Sequence, residues 1–206
     1  MKIKRIEASK YVQERVLVYP EEGDPLRITR DELLQFGLQK GMDLPDALVV
    51  KLEELGRRSS LRAKGAQLAS GRMLSKKELR DKLVGKGAEA EEADEIAAWL
   101  EELGAVDEAG YAGALVRHYA AAHYGRRRVE QELHRRGIPK ELWDEALLQL
   151  PEPTAAIEGY IAAKYRGRSL DFNERRKLAA ALQRRGFDWH DIRPVLNAPG
   201  EEIEGI

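Results

Sequence analysis

The side chains best placed to do chemistry in this sequence are cations, and they recur at a fixed position. Lys76 and Lys77, Arg126 and Arg127, and Arg175 and Arg176 stand seven and six positions before Leu83, Leu133 and Leu182, with Arg128 and Lys177 following in two of the three sets. The reading places all eight in the first turn of a helix, where the dipole favours negative charge and disfavours each cation by about 0.3–1 kcal/mol. An unfavourable choice made three times asks for a reason. Free N–H groups at a helix N-terminus, together with guanidinium or ammonium groups, make a site for phosphate or for a partner's carboxylates, so these residues are the candidate partner- or DNA-binding set. At the opposite ends, Lys86, Arg135, Arg136, Arg184 and Arg185 suit the dipole with no functional appeal. Arg135, Arg136, Arg184 and Arg185 are therefore secondary candidates. For any one of these cations a solvated surface position is the plain alternative; the recurrence is what singles out the first group.

Other chemistries find no support. His118 and His123 are five apart and splay on a helix, and no His-Glu-x-x-His pattern, P-loop or glycine-rich phosphate loop is present. Glu91 with Glu95, or Glu101 with Glu102, reads as a solvent face rather than an acid–base pair. The expectation is a protein that is not an enzyme and needs no metal or cofactor. With no cysteine, disulfides and thiolate sites are excluded, which suits the cytoplasm. No apolar run reaches 18 residues and "MKIKRIEAS" leads into no apolar signal core. The net charge of −1 hides segregation: 88–110 carries nine carboxylates and no Lys or Arg, whereas 111–140 carries seven Lys or Arg and two carboxylates.

The elements that must position the cations form a repeat. "KKELRDKLVGKG", "RRRVEQELHRRG" and "RRKLAAALQRRG" end at Gly87, Gly137 and Gly186, and their alignment superposes Leu79, Val129 and Leu178 as well as the leucines named above. Each is the second helix of a three-helix unit. In the central unit Tyr111, Leu115, Tyr119 and Ala122 give one face of a first helix ended by Gly125, and Pro139 opens a third carrying Leu142, Trp143, Ala146 and Leu147. Ser75 and Glu78 form a capping box in the first unit, and Pro194 marks a kink or a first turn in the last helix. Before the repeats, Ile3 and Ile6, Val16 and Val18, and Leu26 and Ile28 lie in short runs broken at Pro20–Pro25, the pattern of a hairpin or three-strand ribbon. The fold expected is mainly α: tandem three-helix repeats in an elongated curved array behind a small N-terminal β-ribbon. The domains are a β-rich extension over 1–30, a helical linker over 31–58, repeats over 59–107, 108–150 and 154–198, and a flexible tail over 199–206.

These residues resemble the RecX family. The pattern falls on Leu103, Gly104, Asp107, Tyr111, Ala112, Gly125, Arg126 to Arg128, Gly137 and Ile138; "SKKELRDKLVGKG" is similar to the family's first repeat and "GLQKGMDL" to the linker of longer members. The turn Ala105-Val106-Asp107 departs from the usual apolar residue followed by two acids. The resemblance implies a monomeric regulator of RecA that binds the RecA filament on single- or double-stranded DNA. It would limit assembly, ATP turnover and strand exchange, and so control recombination, DNA repair and the SOS response. Beside it stand two other readings, a helical-repeat DNA binder working through phosphate contacts and a helical scaffold for other proteins. Near-neutral charge disfavours DNA binding as the sole function.

Overall fold

The computed structural model describes residues 1–10 and 14–197; the tail expected over 199–206 lies outside them. Three antiparallel strands come first, β1 (Ile3–Ala8), β2 (Arg15–Pro20) and β3 (Leu26–Thr29), in the order β1-β2-β3. Val16 pairs with Ile28 and Val18 with Leu26, which puts the alternating apolar residues on one buried face. Thr29 and Glu32 then form a reciprocal capping box that starts α1 (Arg30–Gln35).

A linker ending at residue 58 is not what forms. One helix, α2 (Asp46–Gly71), runs unbroken across that boundary for 26 residues, about 39 Å at 1.5 Å per residue. Its internal glycines are close approaches rather than breaks. A Cβ at Gly56 would lie 2.1 Å from the Arg27 carbonyl oxygen, and one at Gly65 2.9 Å from Ile96, so α2 carries the sheet on its first half and the first repeat on its second. Leu52 belongs to the core under the sheet and Leu61 to the core of the first repeat. Arg15 fastens the join: largely buried, it donates to Ser59 Oγ at 2.8 Å and to the Gly56 carbonyl at 3.3 Å.

The repeats follow as α3 (Lys76–Val84) and α4 (Ala90–Glu102), then α5 (Glu108–Ala121), α6 (Arg126–Arg135) and α7 (Trp143–Leu147), then α8 (Pro153–Tyr165), α9 (Phe172–Arg184) and α10 (Trp189–Leu196). Leu79 and Leu83, Val129 and Leu133, and Leu178 and Leu182 are all fully buried, each pair within its own core. At about 1.5–3 kcal/mol per large apolar side chain, these pairs are the main local reason the second helices dock. Gly87, Gly137 and Gly186 adopt φ of 92°, 72° and 90°, and the next residue in each case returns its N–H to the inner leucine's carbonyl, Ala88 to Leu83, Ile138 to Leu133 and Phe187 to Leu182. That is the glycine-terminated helix end the sequence calls for.

Two local expectations change and one left open is decided. Gly125 does not end α5; His123, at φ 55°, does that, and Gly125 is the N-cap of α6. The third helix of the central unit is only a 3-10 turn at Lys140–Leu142 followed by five α-helical residues, which leaves Leu148 exposed. Pro194 lies inside α10.

The described residues thus form four separate apolar cores in sequence order.

Candidate functional site

The recurring basic turns meet a structural partner that the sequence did not disclose: the C-terminal end of the next repeat's second helix. At the first joint, α6 ends against the start of α3. Ser75, fully buried, caps α3 through Glu78 and also donates its hydroxyl to the Arg136 carbonyl at 2.5 Å. Lys77 Nζ donates to the Arg135 carbonyl at 3.3 Å, and the Lys77 stem lies so close to Gly137 that a Cβ there would sit 2.7 Å from its own. Arg136 returns the contact by donating to Glu78 Oε1 at 3.0 Å and to the Tyr111 hydroxyl at 2.5 Å.

The anion site foreseen at this helix start exists, and the protein fills it. Glu108 Oε1 accepts from the Lys76 backbone N–H at 3.0 Å, while Lys76 Nζ reaches Glu101 at 2.9 Å and Glu108 Oε2 at 3.7 Å. The Glu101 hydrogen bond, with the charge of Glu108 behind it, raises the Lys76 pKa above its ordinary value. Burial, with Glu78 adding to it, likewise pushes the Tyr111 hydroxyl up, so it stays protonated.

At the second joint α9 ends against the start of α6. Gly125 N–H donates to the Arg185 carbonyl at 2.9 Å and Arg127 N–H to the Gly186 carbonyl at 3.2 Å. This contact is backbone on backbone: a Cβ on Gly125 would lie 2.4 Å from the Gly186 oxygen, and one on Gly186 2.3 Å from the Arg128 nitrogen. Arg185 is held between the Tyr124 and Tyr160 rings, 4.3 Å from each centroid, and donates to the Ala122 carbonyl at 2.9 Å. In both joints the negative end of one helix faces the positive end of another, the arrangement their dipoles favour.

The third basic set is different. Asp171 and Glu174 form a capping box that starts α9 at Phe172, so Arg175, Arg176 and Lys177 are its fourth to sixth residues and not its first turn. The capping pair lies one turn upstream of the frame shared by the other two helices, and Glu174 itself pairs with Arg168 at 2.5 Å. No later repeat docks here among the described residues. Arg176 and Lys177 are exposed, with no ion pair or hydrogen bond to their side chains among those residues; Arg184 shares that state.

Arg126 pairs with Glu130 at 2.7 Å, Arg127 with Asp188 at 2.5 Å and Arg128 with Glu132 at 2.9 Å, and the side chains of Arg126 and Arg127 remain 61% and 69% exposed. Arg135 joins Glu132 at 2.7 Å. Glu132 is buried; burial alone would raise its pKa, but the bond from Arg135 and the charges of Arg135 and Arg128 hold it below the usual carboxylate range. It went unnoticed in the sequence although its spacing offered a signal: it lies four after Arg128 and three before Arg135. Glu108 and the Tyr124–Arg185–Tyr160 stack gave no such signal, since Lys76 and Tyr124 come from the preceding repeat in each case and Tyr160 lies 25 residues from Arg185.

No group of three or more His, Cys, Asp or Glu residues arranged to hold a metal occurs among the described residues, and none of their helices is long and apolar enough to cross a membrane.

Comparison with known proteins assigns these repeats to a family. The family model for the second three-helix domain of RecX matches residues 107–147, and that for the third matches 160–196. A regulatory protein RecX of Herbaspirillum seropedicae is 33% identical over 142 residues, 66% of this chain and 89% of that one. The chain belongs to the RecX family. Another relative so named, from Oceanobacillus iheyensis, is 29% identical over 205 residues, 95% of this chain and 75% of its own. Among solved structures, a regulatory protein RecX superposes with a TM-score of 0.72 at 21% identity, covering 94% of this chain and 98% of its own. RecX from Lactobacillus salivarius does so with 0.54 at 22% identity, over 67% and 96%. These likenesses place the helical repeats in the RecX fold, and the relatives are named as regulatory proteins.

Proposed function

We propose that this RecX-family chain regulates RecA by lying along the RecA–DNA filament and limiting its assembly, ATP turnover and strand exchange. Recombination, DNA repair and the SOS response would thereby come under its control. The observation that supports the reading is the joint itself: at both steps a glycine-ended second helix meets the start of the preceding unit's second helix, the two contacts standing 49–50 residues apart. A surface with a repeat suits a partner with a repeat, and a filament of identical subunits is such a partner.

The contact set narrows accordingly. Arg126, Arg127, Arg128, Arg175, Arg176 and Lys177 are its proposed members, with Arg184 beside them, whereas Lys76, Lys77, Arg136 and Arg185 serve mainly to hold the joints. The ion pairs of Arg126 and Arg127 do not remove them. An exposed pair is worth about 0.2–1 kcal/mol, so Glu130 and Asp188 are readily exchanged for a partner's anion.

The test is RecA assembly on single-stranded DNA, followed by light scattering and ATP turnover, with and without the chain. Slower or shorter filaments with reduced turnover are expected. If assembly and turnover are both unchanged, the reading is wrong.

A further inference from the structure

A second basic surface lies on the first repeat, away from the turns discussed above. Lys64, Gln67, Leu68, Gly71 and Arg72 along the last two turns of α2, with Lys82 and Lys86 from α3 and its C-terminal end, line a cavity of about 440 Å³. Four of the seven lining residues are cations and none is a carboxylate. Lys64 and Leu68 are spaced i, i+4 and so share one face of α2, and Arg72 is the extended residue that caps its C-terminal end. Lys64 and Lys86 also line an adjoining cavity of about 330 Å³, where Asp24 and Glu53 stand beside Arg27 and Arg57, so the uniformly basic lining ends at the first cavity.

The contrast with the other cations gives this surface its meaning. Seven other basic side chains of the first two repeats meet carboxylates, Lys76, Arg80, Arg126, Arg127, Arg128, Arg135 and Arg136, while Arg176, Lys177 and Arg184 of the third, unpaired among the described residues, line no such groove. No ion pair or hydrogen bond to the side chains of Lys64, Arg72, Lys82 or Lys86 occurs among the described residues. Lys86 occupies the position of Arg136 and Arg185, the residues that lock each later repeat onto the one before it. The first repeat has no predecessor, so this position is released from the joint and opens onto the cavity instead.

We infer that this groove binds the phosphodiester backbone of a nucleic acid, independently of any protein filament. Uniform positive charge with no acidic counterpart matches a ligand of uniform negative charge. A protein partner would be met by a mixture of signs and a larger apolar floor than Leu68 offers. No aromatic side chain lines the cavity, so bases have nothing to stack on and binding is independent of sequence. Four cations meeting four phosphates give a slope of log K against log salt of about −3 on a single strand.

The test uses the full chain without RecA, a fluorescein-labelled 20-mer of mixed sequence, and anisotropy from 50 to 200 mM salt. Lys64→Gln, Arg72→Gln, Lys82→Gln and Lys86→Gln together are expected to weaken binding at least tenfold and flatten the salt slope by about 3. A second variant, Lys40→Gln with Lys140→Gln, which removes two exposed cations outside the groove and outside the proposed contact set, leaves it unchanged. Thermal melting of each variant confirms that the fold persists; if the fourfold variant melts early, Lys64→Gln with Arg72→Gln replaces it, with half the loss of slope expected. Unchanged oligonucleotide binding in the groove variant overturns the inference, as does tighter binding of polyglutamate than of the 20-mer at equal charge. Neither result touches the RecA reading, which fails only if filament assembly and turnover are unaffected.

Discussion

The two joints between repeats do the same mechanical work with different chemistry. The first is made of side chains: Ser75, Lys76, Lys77 and Glu78 from α3, Glu101 and Glu108 beyond it, and Tyr111 and Arg136 from the second repeat. The second is made of backbone, two glycines in contact and two N–H donors on two carbonyls, with one arginine stacked between two tyrosines. What they share is a glycine-ended helix meeting the start of another. The relation between repeats therefore comes from helix-end geometry, and side chains are free to vary around it.

The largest effect expected from breaking one joint alone is at Gly186. Gly186→Val places a β-branched residue at φ 90° and drives its Cβ into Arg128, which should cost about 3 kcal/mol or more. Calorimetry should show the last repeat melting earlier while the first two keep their transition. A single unshifted transition would mean that the second joint contributes nothing.

Next is the buried carboxylate beside both joints. Glu132→Gln removes the charge that Arg128 and Arg135 address and should lower stability at neutral pH by about 1–2 kcal/mol, less than for a fully buried pair because the arginines are exposed. Since the folded Glu132 pKa is depressed, its contribution is present above the normal carboxylate range and is lost as pH falls through the folded value. The melting temperature of the Gln variant should accordingly depend less steeply on pH between about 5 and 3. A parallel pH profile would remove Glu132 from the account.

Ser75→Ala tests the first joint, taking away a helix cap and the bond to the Arg136 carbonyl at a cost of about 1–2 kcal/mol. Gly125→Ser asks the converse of the second joint: there the same hydroxyl has no room, so it should destabilise. Equal effects of the two changes would erase the distinction between the joints.

The smallest structural effect and the largest functional one should coincide at Arg127. Arg127→Ala removes an exposed ion pair with Asp188 and should change stability by less than about 1 kcal/mol, yet weaken the proposed inhibition of RecA filament assembly. Intact inhibition would take Arg127 out of the proposed contact set.

Much of the repeat was legible because it is written in local terms. The leucines at 83, 133 and 182 and the glycines at 87, 137 and 186 carry helix period and helix end within a dozen residues. The β-ribbon was legible for the same reason, through the alternation at Val16 and Val18 and at Leu26 and Ile28. The boundary at 58 does not coincide with an element end because α2 runs through it, and Gly56 and Gly65 within that helix each make room for a neighbour that the sequence does not place. The third basic set was misplaced on its helix because Asp171 and Glu174 begin that helix a turn early.

By itself, the sequence determined the number of repeats, their inner residues and where their second helices stop, since burial of a helical face and termination at glycine are local. Only the tertiary structure decided what the cations do. Lys76 and Lys77 meet acceptors from far along the chain, Arg185 meets two rings of the preceding and its own repeat, and Arg176 and Lys177 are left to the solvent. A positive charge is indifferent to which anion or carbonyl satisfies it, so its partner is set by which helix end the fold brings within about 3 Å.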